Sequence, residues 1–232
     1  MNKRKLSQTT LSVSYRKVYK CGAILSLQFV EDSKSLKKFL TELPIHPPMV
    51  IWVASEPRAV ASRQLRGVFV TLPNLRPYNH FLSKVPEEDF ANSPFNRPVL
   101  LNANSSVFHA RLLQLCETIK MNFGEPVNHI TIQSYDSTNK SHHNAHRDKT
   151  QNWVVNSSFF VLSLGEKRIF RVKQWSNADA PSQNLTEDIH LPEGSLLRVP
   201  SATNENYTHE VLKSSGLTET RFSIVFRQMR QI

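Results

Sequence analysis

Apolar residues in this chain fall mostly into short clusters cut by polar turns, and one stretch alone holds a helical period for long. Over residues 107–123, Phe108, Leu112, Leu115, Cys116, Ile119 and Phe123 recur at i, i+4, i+7 spacing, which puts them on one helix face, and Gly124 follows as a C-terminal stop. A shorter helix is predicted after Asp32-Ser33, a fitting N-cap, with Leu36, Phe39 and Leu40 as its apolar face and Pro44 beyond its end. Residues 22–30 read as a strand before it, and residues 49–54 as a strand after Pro47-Pro48. Residues 73–98 are rich in Pro, Asn and charge, which favours loop and lid material.

From residue 127 the pattern turns to β. Residues 127–135, 159–162, 169–172, 194–199 and 222–226 are short runs of β-branched, aromatic and aliphatic side chains with polar turns between them. Their number predicts an α+β, mainly β chain. The expected core is a double-stranded β-helix of the jelly-roll or cupin kind with flanking helices, whose mouth can hold a metal. Residues 136–143 and 175–187 read as polar loops, with His142 and His143 as solvated side chains.

At 232 residues the chain can bury one sizeable core. Residues 49–232 are expected to form it, with residues 1–48 as a basic extension, carrying the short helix, that packs on it. No apolar run approaches the ~20 residues of a spanning helix, so no membrane partner is expected. Two cysteines, Cys21 and Cys116, have neither disulfide-framework nor zinc-site spacing, and the opening Met1-Asn-Lys-Arg-Lys5 lacks the apolar core of a signal peptide. The expectation is an intracellular, cytoplasmic or nuclear protein with reduced thiols. Charge is uneven: residues 1–38 hold nine basic groups against two acidic ones, +7 of a total of +10. A basic arm beside a globular domain suits a polyanion, most simply the nucleic-acid backbone, although it also suits a solvated surface or a localisation signal.

The candidate chemistry lies in His146 and Asp148, then His209, then Arg221 and Arg227. Two imidazoles and one carboxylate on one face of an octahedral ion leave three positions open, the arrangement of non-haem Fe(II) oxygenases. Arg221 and Arg227 are six apart in a strand-like run, so both point to the same face. A guanidinium fork matches a carboxylate, and one arginine could anchor the far carboxylate of 2-oxoglutarate while the near end chelates iron.

These residues sit in a sequence that resembles the AlkB-like Fe(II)/2-oxoglutarate dioxygenases, enzymes that repair alkylated nucleic acids. The resemblance rests on Ile132-Gln-Ser-Tyr135, His146-Arg-Asp148, Phe160-Val-Leu-Ser-Leu-Gly165 leading to Arg168-Ile-Phe170, Leu191-Pro-Glu-Gly-Ser-Leu-Leu197, His209 and Arg221-Phe-Ser-Ile-Val-Phe-Arg227-Gln228. It implies that His146, Asp148 and His209 are the iron ligands, that Tyr135 and Arg221 contact 2-oxoglutarate, and that Arg227 sits near the cofactor or the substrate base. Gln133 stands where the family usually has Asn, as a further candidate contact to the co-substrate. Glu56-Pro-Arg58 is similar to the entry of the family's nucleotide-recognition lid, which makes Arg58 a candidate substrate contact. Phe69 could stack on a flipped base, or be core.

The resemblance also implies O2 as co-substrate, with 2-oxoglutarate decarboxylated to succinate and a substrate C–H bond hydroxylated. On an N-methylated base the product breaks down to formaldehyde and the repaired base. The expected partner is DNA or RNA. The ending of the chain is similar to 5-methylcytosine oxidases of the ten-eleven-translocation type, so 5-methylcytosine, a protein side chain or a small molecule stays open as the target. A non-enzymatic cupin-like module or a zinc hydrolase could use the same three ligands, but neither has an evident use for a carboxylate clamp at Arg221.

Overall fold

The computed structural model describes residues 15–42, 52–53, 56–57, 65–71, 106–135, 142–151, 153–175, 185–214, 218–228 and 230. Two antiparallel sheets face each other. In chain order the elements are β1 (Tyr15–Val18), β2 (Ile24–Leu27), α1 (Ser33–Glu42), β3 (Trp52–Val53), β4 (Glu56–Pro57), β5 (Leu65–Thr71), α2 (Ser106–Phe123), β6 (His129–Tyr135), β7 (His143–His146), β8 (Phe159–Gly165), β9 (Arg168–Gln174), β10 (Thr186–Leu191), β11 (Ser195–Val199), α3 (Ser201–Asn206), β12 (Tyr207–Val211) and β13 (Arg221–Arg227). The larger sheet has the order β1-β2-β11-β8-β13-β6-β5, the smaller β10-β9-β12-β7, and β3 pairs with β4. This is the mainly β, jelly-roll-like core with few helices that the strand pattern predicts.

Strand alternation divides the interior in two. On β13, Phe222, Ile224 and Phe226 face the helices and pack with Leu112, Leu115 and Ile119 of α2 and Leu36 and Leu40 of α1. The opposite face of the large sheet, with Phe159, Val161, Leu197 and Val225, packs against Phe170, Val172 and Val211 of the small sheet. The space between the sheets is therefore lined by alternate residues of β13, β8 and β6. Burying the helix stripe on one side of the large sheet leaves its other side for chemistry.

The helix predicted over residues 107–123 is α2, and the short capped helix is α1, with the Ser35 backbone N–H donating to Asp32 Oδ1 at 3.3 Å. Three elements differ from expectation. The strand expected over residues 22–30 is the second arm of a hairpin, β1–β2, whose turn carries Gly22 at φ +89°. The loop expected over residues 136–143 ends in β7, and the loop expected over 175–187 gives way to β10. β7, His-Asn-Ala-His, holds no large apolar residue, and β10 is polar at its exposed positions Thr186, Asp188 and His190, so their apolar alternation is faint. Residues 1–14, residues 73–98, expected to be loop and lid material, and Arg58 lie outside the described residues, as does the side chain of Phe69, whose backbone belongs to β5.

Candidate metal and co-substrate site

The site forms where the small sheet meets the ends of β13 and β8. His146 closes β7, and β12 pairs His209 directly opposite it, so the two imidazoles meet with ring centroids 4.3 Å apart. Asp148 follows two residues on. Its position is fixed from its backbone: the Asp148 N–H donates to Asn204 Oδ1 at 2.9 Å, and Asn204 Nδ2 donates to the Asp148 carbonyl at 3.0 Å. One potential ligand atom from each of His146, Asp148 and His209 lies within 4.8 Å of the others.

The two oxygens of Asp148 have separate partners. Oδ2 accepts from Arg227 Nη2 at 2.8 Å and Nε at 3.2 Å. Oδ1 lies 3.3 Å from His146 Nε2 and 3.8 Å from His209 Nε2. Ligand atoms at right angles around one ion, each about 2.1 Å from it, would sit about 3 Å apart, so this oxygen and the two imidazole nitrogens fit a shared metal. His146 Nδ1 is 2.8 Å from the Asn144 carbonyl, which makes Nδ1 the donor and leaves the Nε2 lone pair for a metal. His209 packs against Phe170, stacked at 5.3 Å and 13°, and against Phe159, tilted at 5.2 Å.

Titration follows from this packing. Burial pushes Asp148 upward, but Arg227, the hydrogen bond with His146 and the neighbouring His209 outweigh it and hold the carboxyl well below its ordinary range. Burial, helped by His146, pushes His209 down to about 3, so it is a neutral imidazole at physiological pH. Metal ligation needs these forms: an ionised carboxylate and unprotonated imidazoles.

Arg221 is the second feature. It is 0% exposed, in cross-strand register with Tyr135 on β6 and Gly165 on β8. Its Nε donates to Ser163 Oγ at 3.0 Å, while Nη1 and Nη2 are buried without a hydrogen-bond partner, and the Tyr135 ring lies 4.8 Å from Cζ. Burial pulls the Arg221 pKa down, with Tyr135 acting against it. A buried guanidinium with two unused donor nitrogens suits an entering carboxylate. The cleft beside the triad is lined by Gln133, Tyr135, Ser223 and Arg227 as well as by His146, Asp148 and His209. It thus runs from the triad to the immediate neighbours of Arg221. Tyr135 donates its hydroxyl to Gln133 Oε1 at 3.2 Å.

The structure therefore brings His146, Asp148, His209, Arg227, Gln133 and Tyr135 to one cleft, with Arg221 behind Tyr135. Arg227, expected near the cofactor or base, is the counter-ion of Asp148. His143 departs from expectation: it is half-buried and lines the cleft, with its ring 4.0 Å from that of His146, and burial pushes its pKa down to about 3. Asn204 escapes sequence reasoning altogether, while Phe159, Ser163 and Phe170 stand in its strand runs and motifs without a role at the site. Asn204 lies in the polar run Ser-Ala-Thr-Asn-Glu-Asn of α3, where nothing marks one amide from another.

A double antiparallel sheet holding two histidines and a carboxylate at one end of the small sheet, with a buried arginine on the facing large sheet, fits a metal-dependent oxygenase. The chain belongs to the 2OG-Fe(II) oxygenase superfamily, whose family model matches residues 101–227. It is accordingly an enzyme of that family, with Fe(II) as its metal and 2-oxoglutarate and O2 as co-substrates. In fold it is similar to OsALKBH1, an AlkB homologue, at 13% identity and TM-score 0.50, over 92% of this chain and 100% of that one. It is similar also to a 2OG-Fe(II) oxygenase family oxidoreductase from Burkholderia pseudomallei, at 15% identity and TM-score 0.54, over 90% and 84%. A Pseudomonas putida prolyl-4-hydroxylase aligns at 14% identity and TM-score 0.47, over 90% and 94%. No curated protein matches the chain. The AlkB-like oxygenase expected from the motifs is borne out at the level of superfamily and fold. No described helix is long and apolar enough to cross a membrane.

Proposed function

We propose that this protein oxidatively demethylates alkylated bases in nucleic acid, with His146, Asp148 and His209 as the iron ligands and Arg221, Tyr135, Gln133 and Arg227 around 2-oxoglutarate. The observation that carries the site assignment is the pairing of the clustered His-Asp-His set with a buried arginine whose terminal nitrogens are unused. The nucleic-acid reading is supported by the sequence motifs, by the fold shared with an AlkB homologue and by the basic first 38 residues.

When bound, Fe(II) with 2-oxoglutarate and O2 supplies the oxidation: 2-oxoglutarate loses CO2 to become succinate, and the substrate methyl group gains a hydroxyl. The protein's own residues prepare for it. His209 offers a neutral nitrogen, His146 turns Nε2 toward the site through its Nδ1 contact with the Asn144 carbonyl, and Arg227 keeps Asp148 ionised and turned so that one oxygen faces the histidines. Arg221 anchors the far carboxylate, which fixes the direction in which the near end points. Phe159 and Phe170 keep water from one side of the His209 ring. The hydroxymethyl product on a base nitrogen then releases formaldehyde. A methyl group within a duplex is reached by flipping the nucleotide, at a cost of a few kcal/mol that a single strand largely avoids.

Residues 49–232 form the catalytic domain in this reading and residues 1–48 an extension packed on it, which the pairing of β2 with β11 supports. Two buried free cysteines suit the reducing interior of a cell. Arg58 and Phe69 are candidate substrate contacts. The test is reconstitution with Fe(II) and 2-oxoglutarate, then mass spectrometry of a panel of methylated oligonucleotides. Loss of methyl groups with matching formaldehyde is the expected result. A stable gain of one oxygen would move the substrate to 5-methylcytosine or a similar carbon centre, and no change on any oligonucleotide would move it to a protein or a small molecule.

A further inference from the structure

Arg168 opens β9 and is 2% exposed, a second arginine buried between the sheets. Its Cζ lies 5.8 Å from the Tyr135 ring centroid, against 4.8 Å for Arg221, so the two guanidinium groups share one aromatic neighbour. Its Nη2 donates to the Leu212 carbonyl. The carboxylate of Glu166, which favours the charged form of Arg168, accepts from the backbone N–H groups of Thr218 and Glu219 at 3.3 Å and from the Thr218 hydroxyl at 3.2 Å. Burial pulls the Arg168 pKa down, and Arg221 adds to the effect, as a like charge in a poorly screened interior must. Two buried cations beside one aromatic ring favour an anion between them. Arg168 also shares a strand face with Phe170 and Val172, the former stacked on His209, so it belongs to the same inter-sheet space as the triad.

We propose that Arg168 is a second anchor for the far carboxylate of 2-oxoglutarate, which would lie between the guanidinium groups of Arg168 and Arg221 beside Tyr135. This rests on the reading of Arg221 as the carboxylate clamp. One guanidinium satisfies a carboxylate on one side; two hold it from both, so selection of a dicarboxylate over a monocarboxylate is doubled in origin.

The test compares 2-oxoglutarate with 2-oxopentanoate, which carries a methyl group in place of the far carboxylate, by calorimetry on the full chain loaded with Mn(II) as a redox-inert metal. Arg168→Met should weaken 2-oxoglutarate binding about 10- to 100-fold, the worth of one charged hydrogen-bonding partner, and leave 2-oxopentanoate nearly unchanged. Arg168→Lys, which keeps the charge without the fork, should lose several-fold and decides the question if the Met variant does not fold. A purely structural Arg168 would weaken both acids equally or lower the melting temperature alone, and an unchanged preference ratio in the Lys variant would overturn the proposal. Arg221→Lys separates the two readings. If it loses the preference while the Arg168 variants keep it, Arg168 alone is excluded; if it too keeps the preference, the clamp itself is misplaced and both readings fall.

Discussion

Three histidines are held neutral by the fold, and this ties stability to pH. Burial, with Arg227 close to one and neighbouring imidazoles close to the others, pushes His129, His143 and His209 down to about 3. In the unfolded chain each returns to about 6.5 and takes up a proton as pH falls below that value. The unfolded state then binds more protons than the folded one. Stability is thus complete above about pH 6.5 and declines as pH drops toward 3, by roughly 1 kcal/mol per pH unit for each histidine. Thermal melts of the metal-free protein should fall steeply between about pH 6.5 and pH 4.5, and His129→Asn should flatten the slope; a level profile in the wild type would contradict neutral burial. At Arg221, replacement by Lys keeps the charge and loses the planar fork. The 2-oxoglutarate concentration for half-saturation should rise by about tenfold or more. Saturation at the wild-type concentration would place the carboxylate elsewhere.

Elements position these residues through two tight constraints. Gly165, at φ +82°, ends β8 in register with Arg221, and a Cβ there would collide with the Thr220 carbonyl. Gly165→Ala should therefore destabilise by about 1–3 kcal/mol, seen as a lower melting temperature, and should raise the 2-oxoglutarate requirement because Arg221 moves with its strand. A variant with wild-type melting and wild-type saturation would show that the turn is not what holds β13. The buried elements were the legible ones. In α2 and β13 the period of apolar residues reports directly on a face packed in the core, so their position and the shared face of Arg221 and Arg227 follow from spacing alone. By contrast β7, β10 and β12 are half-exposed strands of a small sheet whose polar positions dilute the alternation. That is why His143 reads as solvated until its ring contact with His146 is seen. Which oxygen of Asp148 faces the histidines depends on Arg227, far away in sequence, and on Asn204, whose role has no local signature.

At the scale of the whole molecule, charge and catalysis are separable. β1 begins at Tyr15 and joins the large sheet through β2, so a deletion of residues 1–14, with Lys3, Arg4 and Lys5, removes basic groups while keeping β1 whole. This deletion should weaken nucleic-acid binding at low salt and reduce the slope of log K against log salt by roughly 0.7 to 0.9 for each phosphate that the arm neutralises. Uncoupled 2-oxoglutarate turnover should persist, because the triad and Arg221 are unaffected; an unchanged salt slope would remove the arm from substrate recruitment. The most direct trial of the site as a unit is anaerobic titration of Fe(II) and 2-oxoglutarate into the metal-free protein, following the visible charge-transfer absorption that appears when the 2-oxo acid chelates the iron. The wild type should develop the band with one iron per chain, and His146→Ala and His209→Ala, folded by circular dichroism, should not. A band of normal intensity in either variant, or none in the folded wild type, would contradict the assignment of His146, Asp148 and His209 as the iron ligands.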